Sequence, residues 1–479
     1  MNVNFDSFHK SNINKNRLDK YQKYLDILSN SLNKIHKVNF DKGYWEIIIG
    51  PWLLFFISSF DTIYTNQKYI SHNENKPRPV KKNFVQLPYG THDFMILNHQ
   101  KDYFRNLNNL SNLIDDKRLE FSLIVFKANI SGKTKFINFL NLLFIKLSKK
   151  ILIYSSVVMV DTYLSINQKI KLFIKSKFKL FPFKLNDQKK IDRVFINLDF
   201  RKKILLEEFV KENKIDELDK LLIKIIPYQM PYVFIEGYDD LVNQLPIYNK
   251  KLKIIYTSVG LFSNELFKLF CAQNKYLHNA KLISSQHGGY PYGMNDCPMP
   301  YLERKIVDNF LTWGWQEDKN DVKFISLKIS HSKKIVDSKR NINETEFALY
   351  ISTCPQQGLP TNFGSISYLD INKYFKDQAD FFQSLNKKFY SKIKVRLHPD
   401  DYHADFIQKE NFLKINKPLF FDTNKNIIDT LINTKFVIID HLQTTFMETI
   451  AFQIPTIIFK ELGDLGNFLH YKGVVALGE

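Results

Sequence analysis

The chain has 479 residues, of which 44% are hydrophobic and 24% charged, and its net charge is +19. The length is too great for one ordinary hydrophobic core and suits two domains, and the composition excludes a disordered protein. The three cysteines form no CxxC pair, which argues against a disulfide framework and against a structural zinc site.

The excess of basic residues fits three kinds of partner: a nucleic acid, a membrane surface or an anionic small substrate. The lysines are spread along the chain with no dense basic arm, and no RNP or helix-turn-helix pattern occurs. A lysine-rich solvated surface is the simplest explanation, and a basic face resting on anionic lipid is the second. We expect no nucleic-acid partner, and we keep peripheral contact with an anionic membrane as a hypothesis.

The N-terminal MNVNFDSFHK lacks the apolar core of a signal peptide. The most hydrophobic run, residues 44–60, contains Glu46, Gly50 and Pro51 and is shorter than the roughly 20 apolar residues that cross a bilayer. This run predicts a buried element that is broken at the proline. We therefore expect a cytoplasmic protein, which would sit peripherally at the inner face of the cytoplasmic membrane if its basic surface binds lipid.

Residues 1–120 are mixed, with a helical pattern over 17–38. A helical pattern over 263–279, with Ser263 as its N-cap, lies between two apolar runs, and strand, helix and strand of this length form a βαβ unit with a parallel sheet. The apolar runs typical of strands in this half are 121–126, 149–156, 253–258 and 281–285.

Residues 316–345 are charged and weakly periodic, which predicts a linker after an N-terminal α/β domain over 1–315 with a helical extension at its start. The alternation then predicts a second α/β domain over 346–479. Two such domains facing a cleft would bind a ligand at the carboxyl ends of their strands. The predicted elements of the second domain are strands at 346–352, 392–399, 435–440 and 455–459 and helices at 366–388 and 443–453.

Three groups of polar residues follow predicted strands, and the first is Gln286, His287, Gly288 and Gly289. Glycine permits positive φ angles and lets a ligand approach the backbone closely, which would leave His287 facing a substrate. A tight turn with a hydrogen-bonded histidine explains the pattern equally well.

The second group is Arg396, His398 and Pro399, at the end of a predicted strand. Alternation places Arg396 and His398 on one side of the strand, and Pro399 restricts the histidine to extended geometry. A histidine held there can donate to a phosphate oxygen, and Arg396 would add charge if it faces the cleft. A plain strand end with a Pro-Asp turn is the alternative.

The third group is Gln443, Thr444 and Thr445, at the first turn of the helix after the strand 435–440. Free N–H groups and the helix dipole make such a terminus an anion site, to which threonine hydroxyls add donors. Glu448, one turn later, would reach a ribose. The alternative for one threonine is an N-cap that only stabilises the helix.

Several motifs of other enzyme classes are missing. GxxxxGK[ST], GxGxxG and GxSxG do not occur, which disfavours a P-loop NTPase, a Rossmann dehydrogenase and an α/β-hydrolase. Paired metal-ligand spacings do not occur either, so we expect no metal site.

Five segments together resemble a family of transferases from bacterial surface-carbohydrate gene clusters: IGPWLLFFISSFDTIY, SSQHGGYPYGMN, DNFLTWGW, VRLHPDDY and DHLQTTFMETIAFQIPTIIF. That family is similar in turn to the GT-B-fold enzymes of capsule and lipopolysaccharide, including Kdo- and sialyl-type transferases and CDP-glycerol glycerophosphotransferases. The resemblance covers the chain from about residue 44 to its end. It implies a GT-B-like fold, with two Rossmann-like α/β domains facing a cleft.

The resemblance also implies roles for single residues. In the GT-B enzymes a His-Pro pair after a strand of the C-terminal domain holds the phosphate of CMP, and His398 and Pro399 match it. Paired hydroxyls at a helix start, which act on the same phosphate, match Thr444 and Thr445, and the acidic residue one turn later matches Glu448. The Gln-His-Gly turn at 286–288 lines the cleft in related enzymes.

An inverting enzyme of this kind needs a base in the N-terminal domain to take the acceptor proton. His287, Asp93 and Asp61 are the candidates, and their spacing does not rank them. Such enzymes are metal-independent and need no cofactor, because histidine, hydroxyls and the helix dipole neutralise the leaving phosphate. They commonly end in a helix that returns to the N-terminal domain, whereas this chain stops at HYKGVVALGE, so we expect a truncated C-terminus.

The leading interpretation is a glycosyltransferase that moves a Kdo-like or nonulosonic sugar from a CMP-activated donor to a glycan or lipid-linked acceptor. Transfer from CDP-glycerol or from a UDP-sugar would use the same residues and stays open. A non-catalytic assembly protein at the membrane surface is the alternative from another class.

Overall fold

The structure is a computed structural model, and two long helices, α1 (Asn12–His36) and α2 (Lys42–Thr65), begin the described chain. On α1 the apolar residues recur every three or four positions, as in an amphipathic helix, and this buried face packs against α2.

The described residues are 12–65, 84–98, 120–125, 154–183 without 165, 185, 196–246 without 211 and 213, 249–288, 298–323 without 314 and 317, 347–353, 371–398, 410, 412, 414, 415, 419–440, 444–458 and 474–476.

Helix α2 is a core helix of the protein. In the described part of the chain, Lys42–Asp61 is the stretch whose length and composition would suit a membrane crossing, and 94% of its most apolar window is buried inside the protein. The predicted burial is confirmed, but the predicted break is wrong, because the helix continues through Pro51. Proline removes one hydrogen bond from the preceding turn. In that turn the Ile48 carbonyl accepts a hydrogen bond from the buried Lys268 ammonium (2.9 Å).

A small two-stranded parallel sheet follows, formed by β1 (Phe84–Pro88) and β2 (Glu120–Ile124), with helix α3 (Thr91–Asn98) after β1. The first large sheet has six parallel strands in the order β4-β3-β5-β6-β7-β8. These strands are β3 (Val157–Val160), β4 (Leu180–Pro182), β5 (Ile254–Thr257), β6 (Lys281–Ser285), β7 (Asn309–Thr312) and β8 (Asp321–Lys323).

Two predictions differ from this sheet. The strand expected at 149–156 lies later, since β3 begins at Val157, and residues 149–153 lie outside the described residues. Strand β8 lies within 316–345, so the segment predicted as a linker contributes an edge strand to the first sheet. The domain boundaries stay predictions.

Seven helices in the described residues accompany the first sheet, and α9 between β5 and β6 confirms the predicted βαβ unit. Its N-cap is Asn264, whose side chain accepts from the Phe267 N–H, so the prediction of Ser263 as cap is wrong by one position. Asn264 has the extended backbone that a cap requires, while Ser263 ends the preceding helix. The helices are α4 (Ile166–Lys175), α5 (Leu198–Phe209), α6 (Glu217–Gln229), α7 (Tyr238–Asn243), α8 (Gly260–Ser263), α9 (Glu265–Tyr276) and α10 (Pro298–Ile306).

The second large sheet is also parallel, in the order β11-β10-β9-β12-β13-β14. Its strands are β9 (Phe347–Ile351), β10 (Ile393–Arg396), β11 (Phe420–Phe421), β12 (Thr434–Ile439), β13 (Thr456–Ile458) and β14 (Val474–Ala476). The helices around it are α11 (Ile371–Ser384), α12 (Lys387–Tyr390), α13 (Ile427–Leu431) and α14 (Thr444–Ala451).

Both faces of the second sheet are covered. Leu349 and Val437 belong to one apolar cluster with residues of α13 and α14, whereas Tyr350 and Ile438 belong to another with residues of α11. Successive strand residues point to opposite faces, so strands buried on both sides are apolar throughout. The described residues confirm an α/β protein with Rossmann-like parallel sheets, and a cleft between two domains stays a prediction.

Candidate functional site

The strand order locates the ligand-binding edge of each sheet. In the first sheet the chain runs from β3 to one side as β4 and to the other side as β5, so the switch point lies between β3 and β5. Ligands of open α/β sheets bind at this point, outside the carboxyl ends of the strands. Here Asp161 follows β3 with a left-handed φ of 46°, and its carbonyl accepts from the N–H groups of Ser258 and Val259 (both 3.2 Å).

His287 lies beside this switch point, two residues after β6, which is the neighbour of β5. Its ring is near-parallel to Tyr163 (centroids 6.5 Å apart, 17° between planes) and edge-on to Phe262 (5.3 Å). Burial lowers the pKa of His287 to about 4, although hydrogen bonds with the backbone of Ser285 and Ser258 oppose the shift. The imidazole is therefore neutral at pH 7 and is able to accept a proton.

Glu303 of α10 is a functional candidate that the sequence analysis missed. Its Oε2 lies 3.9 Å from Nδ1 of His287, its side chain is 1% exposed, and its Oε1 accepts from the Ser284 hydroxyl (2.5 Å). A carboxylate at this distance stabilises the imidazolium that forms when the histidine takes a proton. The available signal was an acidic residue on an apolar helix face, three positions before the buried Ile306.

Hydroxyl groups line the same edge of the first sheet. The Ser285 hydroxyl contacts the hydroxyl of Ser258 (2.9 Å) and that of Tyr256 (3.0 Å). Each hydroxyl both donates and accepts, so the cluster can reorient its protons around a bound polar group. Together with His287 and Glu303 it forms the first candidate site.

Gln286 is fully engaged within the protein. Its Nε2 donates to the Gly288 carbonyl (2.8 Å), and its Oε1 accepts from the Trp313 N–H (3.0 Å) and the Trp315 indole (2.8 Å). The Trp313 side chain in turn packs against the apolar cluster of the second sheet. Gln286 thus fixes the turn that carries His287, and direct contact of Gln286 or Gly288 with a substrate stays a prediction. Gly289 lies outside the described residues.

The other two candidates for the base have structural partners. Asp61 forms an ion pair with Arg17 (2.5 Å) near the end of α2. Asp93 accepts from the Gly90 N–H (3.1 Å) at the start of α3 and is 1% exposed. Neither contact tests the catalytic role, which stays a prediction for all three residues.

The second sheet has its switch point between β9 and β12, and its strand order is that of a Rossmann fold. Asp440, directly after β12, is 1% exposed and bridges this point by accepting from the Thr353 N–H (3.2 Å) after β9. Its other oxygen accepts from Tyr350 (3.0 Å), Tyr374 (2.8 Å) and Gln378 (2.8 Å). Burial raises the pKa of Asp440, and these four donors oppose the shift. Sequence reasoning missed this residue as well.

The predicted phosphate residues after β10 are only partly described. Arg396 forms an ion pair with Asp422 and donates to the carbonyls of Asn424 (3.0 Å) and Lys425 (3.4 Å). The Asp422 carboxylate offsets the charge that Arg396 was expected to offer a phosphate. His398 lies two residues beyond β10 and is half-buried, and Pro399 lies outside the described residues.

The predicted helix terminus is present. Helix α14 begins at Thr444, which is exposed, and Thr445 is half-buried. Glu448, one turn later, is 5% exposed. Gln443 lies outside the described residues, and among those described no group of three or more His, Cys, Asp or Glu side chains could hold a metal ion.

Two parallel sheets with polar groups at their switch points define a Rossmann-like α/β protein. Residues 5–463 match the model of a family described as LIC12162 family transferase, so the chain belongs to that family and is a transferase. No curated protein matches the chain. The prediction of a transferase is confirmed, and the relation to Kdo-, sialyl- and CDP-glycerol-type enzymes stays a prediction.

Proposed function

We propose that this transferase is a GT-B-like glycosyltransferase of surface polysaccharide synthesis, which moves a sugar from a CMP-activated donor to a glycan or lipid-linked acceptor. The observation that carries the proposal is a neutral His287 beside the buried Glu303, at the carboxyl end of a strand next to the switch point. Transfer of a sugar to a hydroxyl needs such a base.

His287 would take the proton of the acceptor hydroxyl while the acceptor oxygen forms a bond to the anomeric carbon. The bond from that carbon to the phosphate oxygen breaks, and CMP leaves with the electron pair. The Glu303 carboxylate, 3.9 Å from the ring, stabilises the resulting imidazolium. The rings of Phe262 and Tyr163 flank His287, with centroids 5.3 and 6.5 Å from that of the imidazole, and the histidine side chain is 16% exposed.

The second sheet would bind the donor. The N-terminus of α14 would direct N–H groups and the Thr444 hydroxyl to the leaving phosphate, and His398 follows β10 of the same sheet. These groups support an anion site but do not distinguish one nucleotide base from another. Transfer from CDP-glycerol or from a UDP-sugar would use the same groups and is the second candidate. A non-catalytic assembly protein does not account for the His287–Glu303 pair.

A transfer assay tests the proposal. CMP-Kdo, CMP-N-acetylneuraminic acid, CDP-glycerol and UDP-glucose are each incubated with the protein and a membrane extract containing lipid-linked acceptors, and release of the nucleotide is followed by chromatography. We expect release of CMP from an acidic-sugar donor by the wild type and not by His287→Ala. If only CDP-glycerol or only UDP-glucose were turned over, that compound would replace the CMP-sugar as the proposed donor. If no donor were turned over, the result would favour a non-catalytic assembly protein.

A further inference from the structure

Helix α4 and the turn after it form an unusually basic segment. Residues 162–186 contain six lysines and no acidic residue, between Asp161 and Asp187. Five of these lysines lie in the described part of α4 and its following turn: Lys169, Lys171, Lys175, Lys177 and Lys179. These lysines lie on the segment that leads into β4, which is the edge strand of the first sheet.

The same segment exposes large apolar side chains. Ile170 and Ile174 are 49% and 59% exposed and lie in one row of the helix, because residues four apart are neighbours on a helix surface. Lys171 and Lys175 form the adjacent row. Single exposed apolar residues are ordinary, whereas a row of them between lysines marks an interaction surface.

The turn after α4 extends the row with two aromatic rings. Phe178 is 60% exposed and Tyr154 is 71% exposed. The Lys179 carbonyl accepts from the N–H groups of Ser156 and Val157 (2.9 and 3.0 Å), which brings both rings to the same end of the first sheet. We call Ile170, Ile174, Phe178, Tyr154 and the lysines beside them the α4 face.

The backbone holds Phe178 in a conformation that bulky residues avoid. Lys177 and Phe178 have φ angles of 52° and 65°, which glycine would adopt without strain. Hydrogen bonds fix the turn, from the Phe178 N–H to the Phe173 carbonyl (3.0 Å) and from the Ser176 hydroxyl to the same carbonyl (2.9 Å). These hydrogen bonds end the helix, and the turn leaves the Phe178 ring exposed to solvent.

We propose that the α4 face docks the protein on an anionic lipid bilayer. A helix with an apolar row flanked by lysines lies in the headgroup region of a membrane, where the lysines pair with anionic headgroups and the apolar side chains enter the acyl boundary. Aromatic rings are favoured at that depth. The lysine charge is complementary to acidic lipid, and the apolar row distinguishes this surface from one that binds nucleic acid.

The start of α4 lies toward the candidate site. Helix α4 begins three residues after Tyr163, the ring of which is near-parallel to that of His287. Tyr154 and Phe178 precede β3 and β4 and so lie at the opposite, amino end of the first sheet, and a link between docking and the supply of a lipid-linked acceptor rests on the proposed function. Docking itself does not depend on any transfer reaction.

Vesicle co-sedimentation tests the docking without a transfer assay. The wild type, Ile174→Ser/Phe178→Ser and Lys171→Gln/Lys175→Gln are mixed with vesicles of phosphatidylcholine and phosphatidylglycerol, and with pure phosphatidylcholine. We expect binding of the wild type to the anionic vesicles only. Each lysine near the surface is worth about fivefold in affinity, so the lysine pair should cost about 25-fold. Loss of the apolar pair should cost at least about tenfold.

The matched control is Phe389→Ser/Lys388→Gln on α12, since Phe389 is 63% exposed and also has a lysine beside it. This control should bind as the wild type does. Because Phe178 contacts the half-buried Phe173 (4.9 Å), Ile174→Ser alone is tested in parallel, with circular dichroism as a check on folding. Equal binding of Ile174→Ser, Ile174→Ser/Phe178→Ser and wild type would overturn the proposal. The proposal would also be overturned if the wild type did not bind anionic vesicles. It would be overturned as well if the wild type bound an oligonucleotide instead and lost that binding in Ile174→Ser/Phe178→Ser.

Discussion

Nδ1 of His287 lies 3.9 Å from Oε2 of Glu303, and the two side chains are 16% and 1% exposed. A carboxylate at this distance favours the protonated form of the ring, whereas burial of the ring disfavours it and lowers the pKa of His287 to about 4. The pair therefore combines a base that is unprotonated at pH 7 with an anion that stabilises its protonated form.

Glu303→Gln removes the negative charge and retains the shape of the side chain. We expect the turnover number of the transfer reaction to fall about 100-fold with the KM for the acceptor within about twofold, because the charge acts when the imidazolium forms. Glu217→Gln on α6 is the control, since Glu217 is exposed and pairs with Lys220. Unchanged turnover in Glu303→Gln, together with lower stability, would make Glu303 a structural residue only.

The low pKa of His287 predicts a pH-dependent stability. The unfolded histidine, with a pKa of about 6.5, takes up a proton as the pH falls, whereas the folded one stays neutral down to about 4. The free energy of unfolding should therefore be full above about pH 6.5 and fall between about 6.5 and 4, by about 3 kcal/mol at most. Urea unfolding at about pH 7.5 and about pH 5 measures this loss. This loss of stability should be smaller in His287→Gln than in the wild type, because glutamine takes up no proton. Equal losses in the two proteins would contradict the assigned burial of His287.

Asp440→Asn tests the bridge across the second switch point. The amide can keep one oxygen facing Tyr350, Tyr374 and Gln378, but its NH₂ group then faces the Thr353 N–H. We expect a loss of about 1–3 kcal/mol in the free energy of unfolding, measured in urea. Asp429→Asn, on the exposed face of α13, should change it by less than about 0.5 kcal/mol. A loss in Asp440→Asn no larger than in this control would contradict the assigned network.

Lys268 and Glu265, both on α9, form a buried ion pair (2.7 Å) that contacts α2 and α3. The ammonium donates to the Ile48 carbonyl and the Thr91 hydroxyl (2.8 Å), and burial lowers the pKa of Lys268. Lys268→Met leaves the Glu265 charge uncompensated and should cost about 3–5 kcal/mol of stability. The double variant Lys268→Met/Glu265→Gln should be more stable than the single one, because the glutamine oxygen still accepts from the Thr91 N–H. A double variant less stable than Lys268→Met would contradict this account.

The parallel strands were predictable because short apolar runs bounded by turn residues rarely form anything other than buried strands. Strand β6 was predicted at its observed bounds, and β5, β9 and β12 to within two residues. The unbroken course of α2 was not predictable, because packing on every side of the helix outweighs the local cost of Pro51. The N-cap of α9 is Asn264 and not the predicted Ser263. The sequence did not distinguish them, because serine and asparagine cap helices about equally well.

The site was predictable only where a polar residue lies within two residues of a strand end. His287 meets this condition and was predicted. Asp440 meets it too, but the prediction fell on Thr444 and Thr445 instead. Glu303 comes from α10, between β6 and β7, and no sequence spacing connects it with His287. The partner of Arg396 is Asp422, 26 residues away, and their pairing depends on the parallel neighbourhood of β10 and β11.

The most direct test of the account is a calorimetric titration with CMP of the wild type, His398→Ala and His287→Ala. In the proposed mechanism the nucleotide binds at the second sheet and the proton transfer takes place at the first. We expect the wild type and His287→Ala to bind CMP with similar affinity and His398→Ala to bind it at least about tenfold more weakly. Equal binding by His398→Ala, or binding of UDP or GDP in place of CMP by the wild type, would contradict the account.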